Sequence, residues 1–291
     1  MEPALFGTNL EKNILIYLVE FGILLPATTI NPVNTMATNL FFSPRTLLLT
    51  IISLILSAAF FTSCHDAEAD QAGWTSLFNG EDFSGWIVPE GDNGHWQVMD
   101  GVIDYDAESE AEEDKNLWSE EEYGDFVLRL EWRIPETPFV NENATIVLPD
   151  GSNKLDADGE VIRIAVPDSD SGVYVRGTSK AQINIWGWPV GSGEVYGYRM
   201  DSEMPAEVRA GVTPSMHADR NIGEWNEFEI TMEGDRLTVE LNGHRVIENA
   251  QLPGVDEHGP IALQHHGSKR DGEWVSPPSI VQFRNIEIRE L

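Results

Sequence analysis

The sequence predicts an all-β sandwich of two antiparallel sheets, and three observations carry the prediction. From Gly73 to Leu291 the chain is a series of short alternating apolar runs broken by Gly, Asp, Asn and Pro, which is the rhythm of strands and tight turns. Two of the breaks, Asp100-Gly101 and Asn242-Gly243, are dipeptides suited to the positive φ angles of a type I′ turn, so the runs beside each read as hairpins. No helical period is sustained over three turns. The roughly 220 residues from Gly73 onward suit one sizeable domain.

In chain order, the first hairpin is Trp96–Met99 with Val102–Tyr105. Phe126 to Ile134 follows, with Leu128, Leu130 and Trp132 on one face and Arg129, Glu131 and Arg133 on the other, because strand side chains alternate. Val161 to Val166, Trp225 to Met232, Leu237–Leu241 with His244–Ile247, and Ile280 to Ile288 complete the frame. Thr137 to Glu160 and Gly187 to His217 read as insertions. The first ends in Asp156-Ala157-Asp158-Gly159, but the sixth position counted from Asp156 is Val161 where a calcium loop needs Gly, so a hairpin tip is expected. The second, rich in Gly, Pro and Met, reads as a lid or specificity loop that could bring His217 to a site.

Ahead of this domain, Arg45 precedes the uncharged apolar run Thr46 to Phe61, and Thr62-Ser63-Cys64 follow it. Basic residue, apolar core and small residues in that order are a secretory signal. The run is shorter than a membrane span usually needs. Cys64 is the only cysteine, and its place resembles that of the lipidated cysteine of bacterial lipoproteins. The expected organisation is an upstream segment and signal over 1–63, with the true start at Met36, a tether over 64–72 and the sandwich over 73–291. The chain is expected to be exported and lipid-anchored in the periplasm or at the cell surface.

The formal charge is −31, with 49 acidic against 18 basic residues. Residues 1–63 hold only Lys12 and Arg45 against Glu2, Glu11 and Glu20, so the remainder carries −30. Such a surface repels nucleic acid and anionic polymers. A neutral ligand is compatible with it. Much of the acid lies between Asp100 and Asp125, including Glu120-Glu121-Glu122, and reads as a solvated loop.

Three further strands carry something other than solubilising charge on their outward positions. Gly172-Val173-Tyr174-Val175-Arg176 sends its valines inward and Tyr174 and Arg176 outward; Ala181 to Trp186 sends Gln182, Asn184 and Trp186 outward; Ile261 to His266 pairs Gln264 with His266. Amides and guanidinium groups bond hydroxyls, and aromatic rings pack on pyranose C–H faces, so this reads as a sugar-facing sheet.

Trp74-Thr75-Ser76-Leu77-Phe78-Asn79-Gly80-Glu81-Asp82-Phe83-Ser84-Gly85-Trp86, Tyr123-Gly124-Asp125-Phe126, Ser171-Gly172-Val173-Tyr174-Val175-Arg176-Gly177, Gly223-Glu224-Trp225-Asn226, Leu241-Asn242-Gly243 and Phe283-Arg284-Asn285-Ile286 together resemble the 3-keto-disaccharide hydrolase domain family, in the family's order. The resemblance spans Gly73 to Leu291. It implies a concanavalin A-like jelly-roll sandwich and activity on glycosides oxidised at C3, with a sugar 3-oxidoreductase as functional partner. Where the family has an acidic version of the central strand, this chain has Lys180-Ala181-Gln182-Ile183-Asn184-Ile185-Trp186, so no carboxylate base carries over there.

A C3 ketone acidifies the C2 hydrogen, so a base can remove it and expel the C1 substituent; water then adds. That chemistry needs a base near C2, donors for the enolate oxygen and a proton for the leaving group. Glu131 and His266 are the candidates for proton transfer and Arg176 for enolate stabilisation. Glu131 could equally be an ion-pair partner of Arg133 or Arg176, and His266 a sugar contact. Tyr174, Gln182, Asn184, Trp186, Gln264 and Arg284 are the candidate binding residues, with Arg284 alternatively an anchor beside Asn285. No cofactor is expected. His265, His266 and Glu131 have metal-ligand chemistry, but adjacent strand residues point apart. The same face would also suit a lectin-like binding module without chemistry. A conventional two-glutamate glycosidase is disfavoured, because no strand carries alternating E-x-D-x-x-E.

Overall fold

The computed structural model describes residues 73–291; the expected signal at Thr46 to Phe61, the start at Met36 and Cys64 with its tether lie outside the described residues. The larger sheet runs β13 (His244–Gln251), β12 (Arg236–Leu241), β11 (Asn226–Glu233), β6 (Phe126–Arg133), β17 (Val281–Glu290), β4 (Val102–Tyr105) and β3 (Trp96–Met99), with β1 (Thr75–Ser76) on β17. The smaller runs β10 (Thr178–Ile185), β9 (Ser171–Val175), β14 (Gly259–Leu263), β5 (Leu117–Tyr123) and β2 (Trp86–Ile87). Every pairing is antiparallel, the two sheets form the jelly-roll sandwich, and β15 (Ser268–Arg270) pairs with β16 (Glu273–Ser276) as a separate hairpin.

The alternation decides what meets in the middle. Leu128, Leu130 and Trp132 from β6, Phe228, Ile230 and Met232 from β11, and Phe283 from β17 face Val173, Val175, Ile183, Ile185 and Leu263 of the smaller sheet. Each such side chain contributes about 1.5–3 kcal/mol over its exposed state. Outward ion pairs contribute about 0–1 kcal/mol, so the shared apolar layer, not the surface charge, holds the sheets together. Both predicted hairpins turn as expected, with φ of 51° and 79° at Asp100 and Gly101, and 53° and 75° at Asn242 and Gly243.

Two expectations need correction, and a third, the hairpin tip at Asp156, holds. Glu120, Glu121 and Glu122 are not in a loop: they lie in β5, whose apolar Leu117 and half-buried Trp118 anchor it between β14 and β2. The stretch Thr137 to Glu160 carries β7 (Val140–Thr145), which pairs with β8 (Arg163–Pro167) as a long hairpin, and Asp156 closes its own turn by accepting from the backbone N–H of Asp158 and Glu160 at 2.9 Å. The Gly187 to His217 insertion is a side wall. Its Gly193 and Glu194 bond the backbone of Asn184 on the free edge of β10 at 2.8 and 2.9 Å, and Ser215 N–H bonds Val246 on the opposite sheet's edge at 2.9 Å. Two short helices, α1 (Tyr196–Arg199) and α2 (Ala206–Gly211), complete it. Val195, Tyr198, Val208 and Val212 join the core beside Val246, Ile247 and Ala250. The insertion thereby covers two sheet edges that would otherwise stand open.

Candidate functional site

The outer face of the smaller sheet gathers polar groups in one row. Register sets Gln182 opposite Tyr174, Tyr174 opposite Ala262, and Ala262 opposite Trp118. Gly172 makes room for this: a Cβ there would lie 2.6 Å from Gln182 Nε2. Through that gap Gln182 Nε2 donates to Gln264 Oε1 and, at 3.1 Å, to the Ser171 carbonyl. The Gln264 amide N–H is then left to bond the Tyr174 hydroxyl. Burial still pushes the Tyr174 phenol up to about 12, so it stays a neutral donor with its own O–H available. The tilted Trp118 ring flanks Tyr174 at 5.8 Å between centroids.

At the end of this row His266 and Asp170 face each other. His266 Nε2 lies 3.9 Å from Asp170 Oδ2, and the Pro277 carbonyl 2.7 Å from Nδ1 makes Nδ1 the protonated nitrogen of the neutral ring. That leaves the Nε2 lone pair pointing toward Asp170. Pro277–Ser279 holds both residues: Ser279 Oγ accepts from His266 N–H at 2.9 Å, and the Pro278 carbonyl accepts from Asp170 N–H at 3.3 Å. Burial lifts the Asp170 carboxyl to about 7, with His266 opposing the rise and Asp168 adding to it. Asp168 itself is a structural node, buried and accepting from Asn141 Nδ2 (2.7 Å), Gly187 N–H (2.9 Å) and Trp188 Nε1 (3.0 Å).

The structure brings together only part of the predicted set. Tyr174, Gln182, Gln264 and His266 share the face. Arg176 does not: it occupies the two-residue turn after β9 with φ of 55°, where alternation no longer applies. Its side chain is 1 % exposed and is spent on the Asp125 carboxylate (3.0 Å) and the carbonyls of Asp256, Glu257 and Gly234. Glu131 and Arg284 belong to the larger sheet and point outward from the opposite side of the sandwich. Arg284 donates to Glu131 at 2.8 and 2.6 Å, Asn285 donates to it at 2.6 Å, and the Trp225 ring lies 4.0 Å from the Arg284 guanidinium. The partner of Glu131 is thus Arg284 rather than Arg133 or Arg176, and neither Glu131 nor Arg284 reaches His266.

Asn184 and Trp186 are buried under the side wall. Asn184 bonds Gly193 and Glu194 through its backbone, and Trp186 stacks on Trp188 at 4.5 Å while donating Nε1–H to the Gly191 carbonyl at 2.8 Å. His217 stands 3.7 Å from Asp219. The two adjacent histidines lie beyond the end of β14 and make different contacts: His265 Nδ1 meets Tyr105 Oη at 2.6 Å, and burial pulls its imidazole down to about 4. Among the described residues no group of three or more His, Cys, Asp or Glu is placed to hold a metal ion.

Sequence reasoning missed Asp170 and Trp118. Asp170 sits outside any regular strand, in Pro167-Asp168-Ser169-Asp170, where acids look solvated; its one signal was the even spacing that sets it two and four residues before Gly172 and Tyr174. Trp118 was hidden by the acidic run that follows it.

No curated protein matches the chain. Among solved structures it is similar to a glycosyl hydrolase candidate from Parabacteroides distasonis, at 21 % identity over 76 % of this chain and 84 % of that one, with a TM-score of 0.49. It is also similar to a carbohydrate-binding module from Bacillus subtilis, at 13 % identity over 75 % and 96 %, with a TM-score of 0.32. The model of the 3-keto-alpha-glucoside-1,2-lyase-like domain matches residues 73–289, and the chain belongs to that carbohydrate-acting family.

Proposed function

We propose that the chain is an exported, lipid-anchored enzyme that cleaves 3-keto-glycosides by elimination across C1–C2 followed by hydration. The observation that carries this reading is the His266–Asp170 pair at 3.9 Å, set at the end of a face of Tyr174, Gln182, Gln264 and Trp118. The carboxyl of Asp170, raised to about 7 by burial, carries the acid proton, and His266 Nε2 is the base for the C2 hydrogen. As that proton leaves, the C1–O bond breaks and the aglycone oxygen departs as an alcohol, taking a proton from the protonated carboxyl of Asp170. Tyr174 O–H, oriented through Gln182 and Gln264, bonds the oxygen that gains charge on C3. Water then adds its hydroxyl to C1 and a hydrogen to C2, giving the free 3-keto sugar. A neutral substrate suits the charge of −31, and an oxidoreductase that makes the C3 ketone would act before it.

The test is incubation of the purified protein with a 3-keto-glucoside and with its unoxidised parent, with and without chelator, following aglycone release. Release from the keto form alone supports the enzyme. Saturable sugar binding without release moves the assignment to a lectin-like module. Membrane fractionation of wild type and Cys64→Ala tests the anchor, which predicts that the variant becomes soluble.

A further inference from the structure

The segment that leads into β5 brings a carboxylate to the edge of this face. Asp114 Oδ2 accepts from Trp118 Nε1–H at 2.5 Å, and its Oδ1 accepts from Asn116 N–H at 3.0 Å and from Asn116 Nδ2 at 2.5 Å. Trp118 is the ring that flanks Tyr174. Asn116 in turn accepts through Oδ1 from the His265 backbone N–H at 2.8 Å, one residue before His266. Asp114 is thus tied to both ends of the row, to Tyr174 through an indole and to the histidine strand end through an amide. Its negative charge acts on the Tyr174 phenol and on the His265 imidazole.

These ties fix the carboxylate and leave it able to take one more bond. A carboxylate has about four acceptor sites. Asn116 takes two on Oδ1 and Trp118 takes one on Oδ2, so one site on Oδ2 stays open. Asp114 is exposed, and a hydroxyl can approach it. An aromatic face beside a fixed acceptor matches a pyranose, which carries C–H groups on its face and hydroxyls at its rim.

We infer that Asp114 selects the sugar, its carboxylate accepting from the C4 or C6 hydroxyl of a pyranose whose ring packs on Trp118. The choice of hydroxyl rests on the 3-keto-glycoside reading. There C1 carries the leaving group, C2 gives its proton to His266 and C3 holds the ketone against Tyr174, so beyond the reacting carbons the hydroxyls left are those at C4 and C6. A sugar substituted at the hydroxyl that Asp114 reads loses the donor, and a uronate or phosphate there sets like charge against the carboxylate. The preferred substrate is therefore a neutral sugar with that hydroxyl free.

The experiment has two arms on the full chain. In the first, methyl glucoside and its 4-deoxy and 6-deoxy analogues are titrated by ligand-observed NMR against wild type and Asp114→Ala. Asp114 is exposed and precedes β5, so the substitution leaves the core intact. Wild type is expected to bind one of the two analogues about tenfold more weakly than the parent, the worth of one hydrogen bond to a charged group. In Asp114→Ala that preference should vanish, with the parent weakened about tenfold and the analogue unchanged. A loosened loop would instead weaken all three sugars alike and keep the preference. Absence of saturable methyl glucoside binding, equal binding of all three sugars to wild type, or a preference that survives in Asp114→Ala overturns the inference. In the second arm the same three sugars are supplied as 3-keto-glycosides. The ratio of kcat/KM, parent to sensitive analogue, is expected to be about ten in wild type and near one in the variant, and an equal ratio in the two proteins also overturns the inference. Failure of wild type to turn over any of the three, with the binding arm as expected, overturns the lyase reading and leaves the hydroxyl contact standing.

Discussion

His266 Nε2 stands 3.9 Å from Asp170 Oδ2, and both residues hang from the same Pro277–Ser279 segment. Two groups fixed to one short stretch of chain keep their spacing whatever the surrounding loops do. Removing either member is expected to cost about 10²–10⁴ in kcat, the usual worth of positioned acid–base groups. His266→Ala and Asp170→Asn are the variants, aglycone release the measurement, and circular dichroism the check on folding. Near-normal turnover in His266→Ala would remove the histidine from the mechanism.

The raised Asp170 carboxyl makes a prediction about stability and pH. Its folded value, about 7, lies above the ordinary range near ~3.9. The folded state therefore holds this proton more tightly than the unfolded chain does. The stabilisation is complete below about pH 4 and is lost as pH rises through 7. Asp170→Asn removes this dependence. The difference in Tm, variant minus wild type, should become more positive between pH 4 and 7.5. Taking the difference cancels other groups, among them Glu194, which burial also raises, and His265, which burial lowers. A difference that is flat with pH contradicts the assignment.

Arg176 and Glu131 separate fold from function. Arg176→Ala strips four hydrogen bonds from buried or turn carbonyls and from Asp125, at roughly 1 kcal/mol each, so chemical denaturation should show a loss of about 3–4 kcal/mol. Glu131→Gln loosens a partly exposed pair worth about 0–1 kcal/mol and should leave kcat unchanged. A selective loss of kcat in Glu131→Gln, with stability intact, would return Glu131 to the active site.

Much of the fold was legible because strand alternation is a local rule. Val173, Ile183 and Leu263 went inward and Tyr174, Gln182 and Gln264 outward, as read. What the rule lacks is any statement of which sheet a strand joins. Glu131 was assigned the correct outward direction on β6, yet β6 pairs with β11 and β17 in the other sheet, so its face looks away from His266. The rule also stops at turns, where Arg176 with its positive φ follows the turn's geometry instead. Asp170 escaped notice because it precedes β9, and its burial comes from His266 and Pro278, which stand 96 and 108 residues farther along the chain.

Gln182, Gln264 and Tyr174 form a chain of donors, and that makes their effects interdependent. Gln182 fixes the Gln264 carbonyl oxygen, which turns the Gln264 amide toward the Tyr174 hydroxyl and leaves the Tyr174 O–H to meet a ligand oxygen. Tyr174→Phe removes the last donor and should lower kcat by about 10²–10³, as loss of one oxyanion donor does, with little change in KM. Gln182→Ala acts only through the other two, so it should cost less by itself and almost nothing once Tyr174 is Phe. The double-mutant cycle measures that coupling directly. Because the phenol sits at about 12, neither variant should shift the pH profile of kcat below pH 9. Additive losses would mean that Gln182 contacts substrate independently, and an altered acid limb would mean that the chain acts on the Asp170–His266 pair instead.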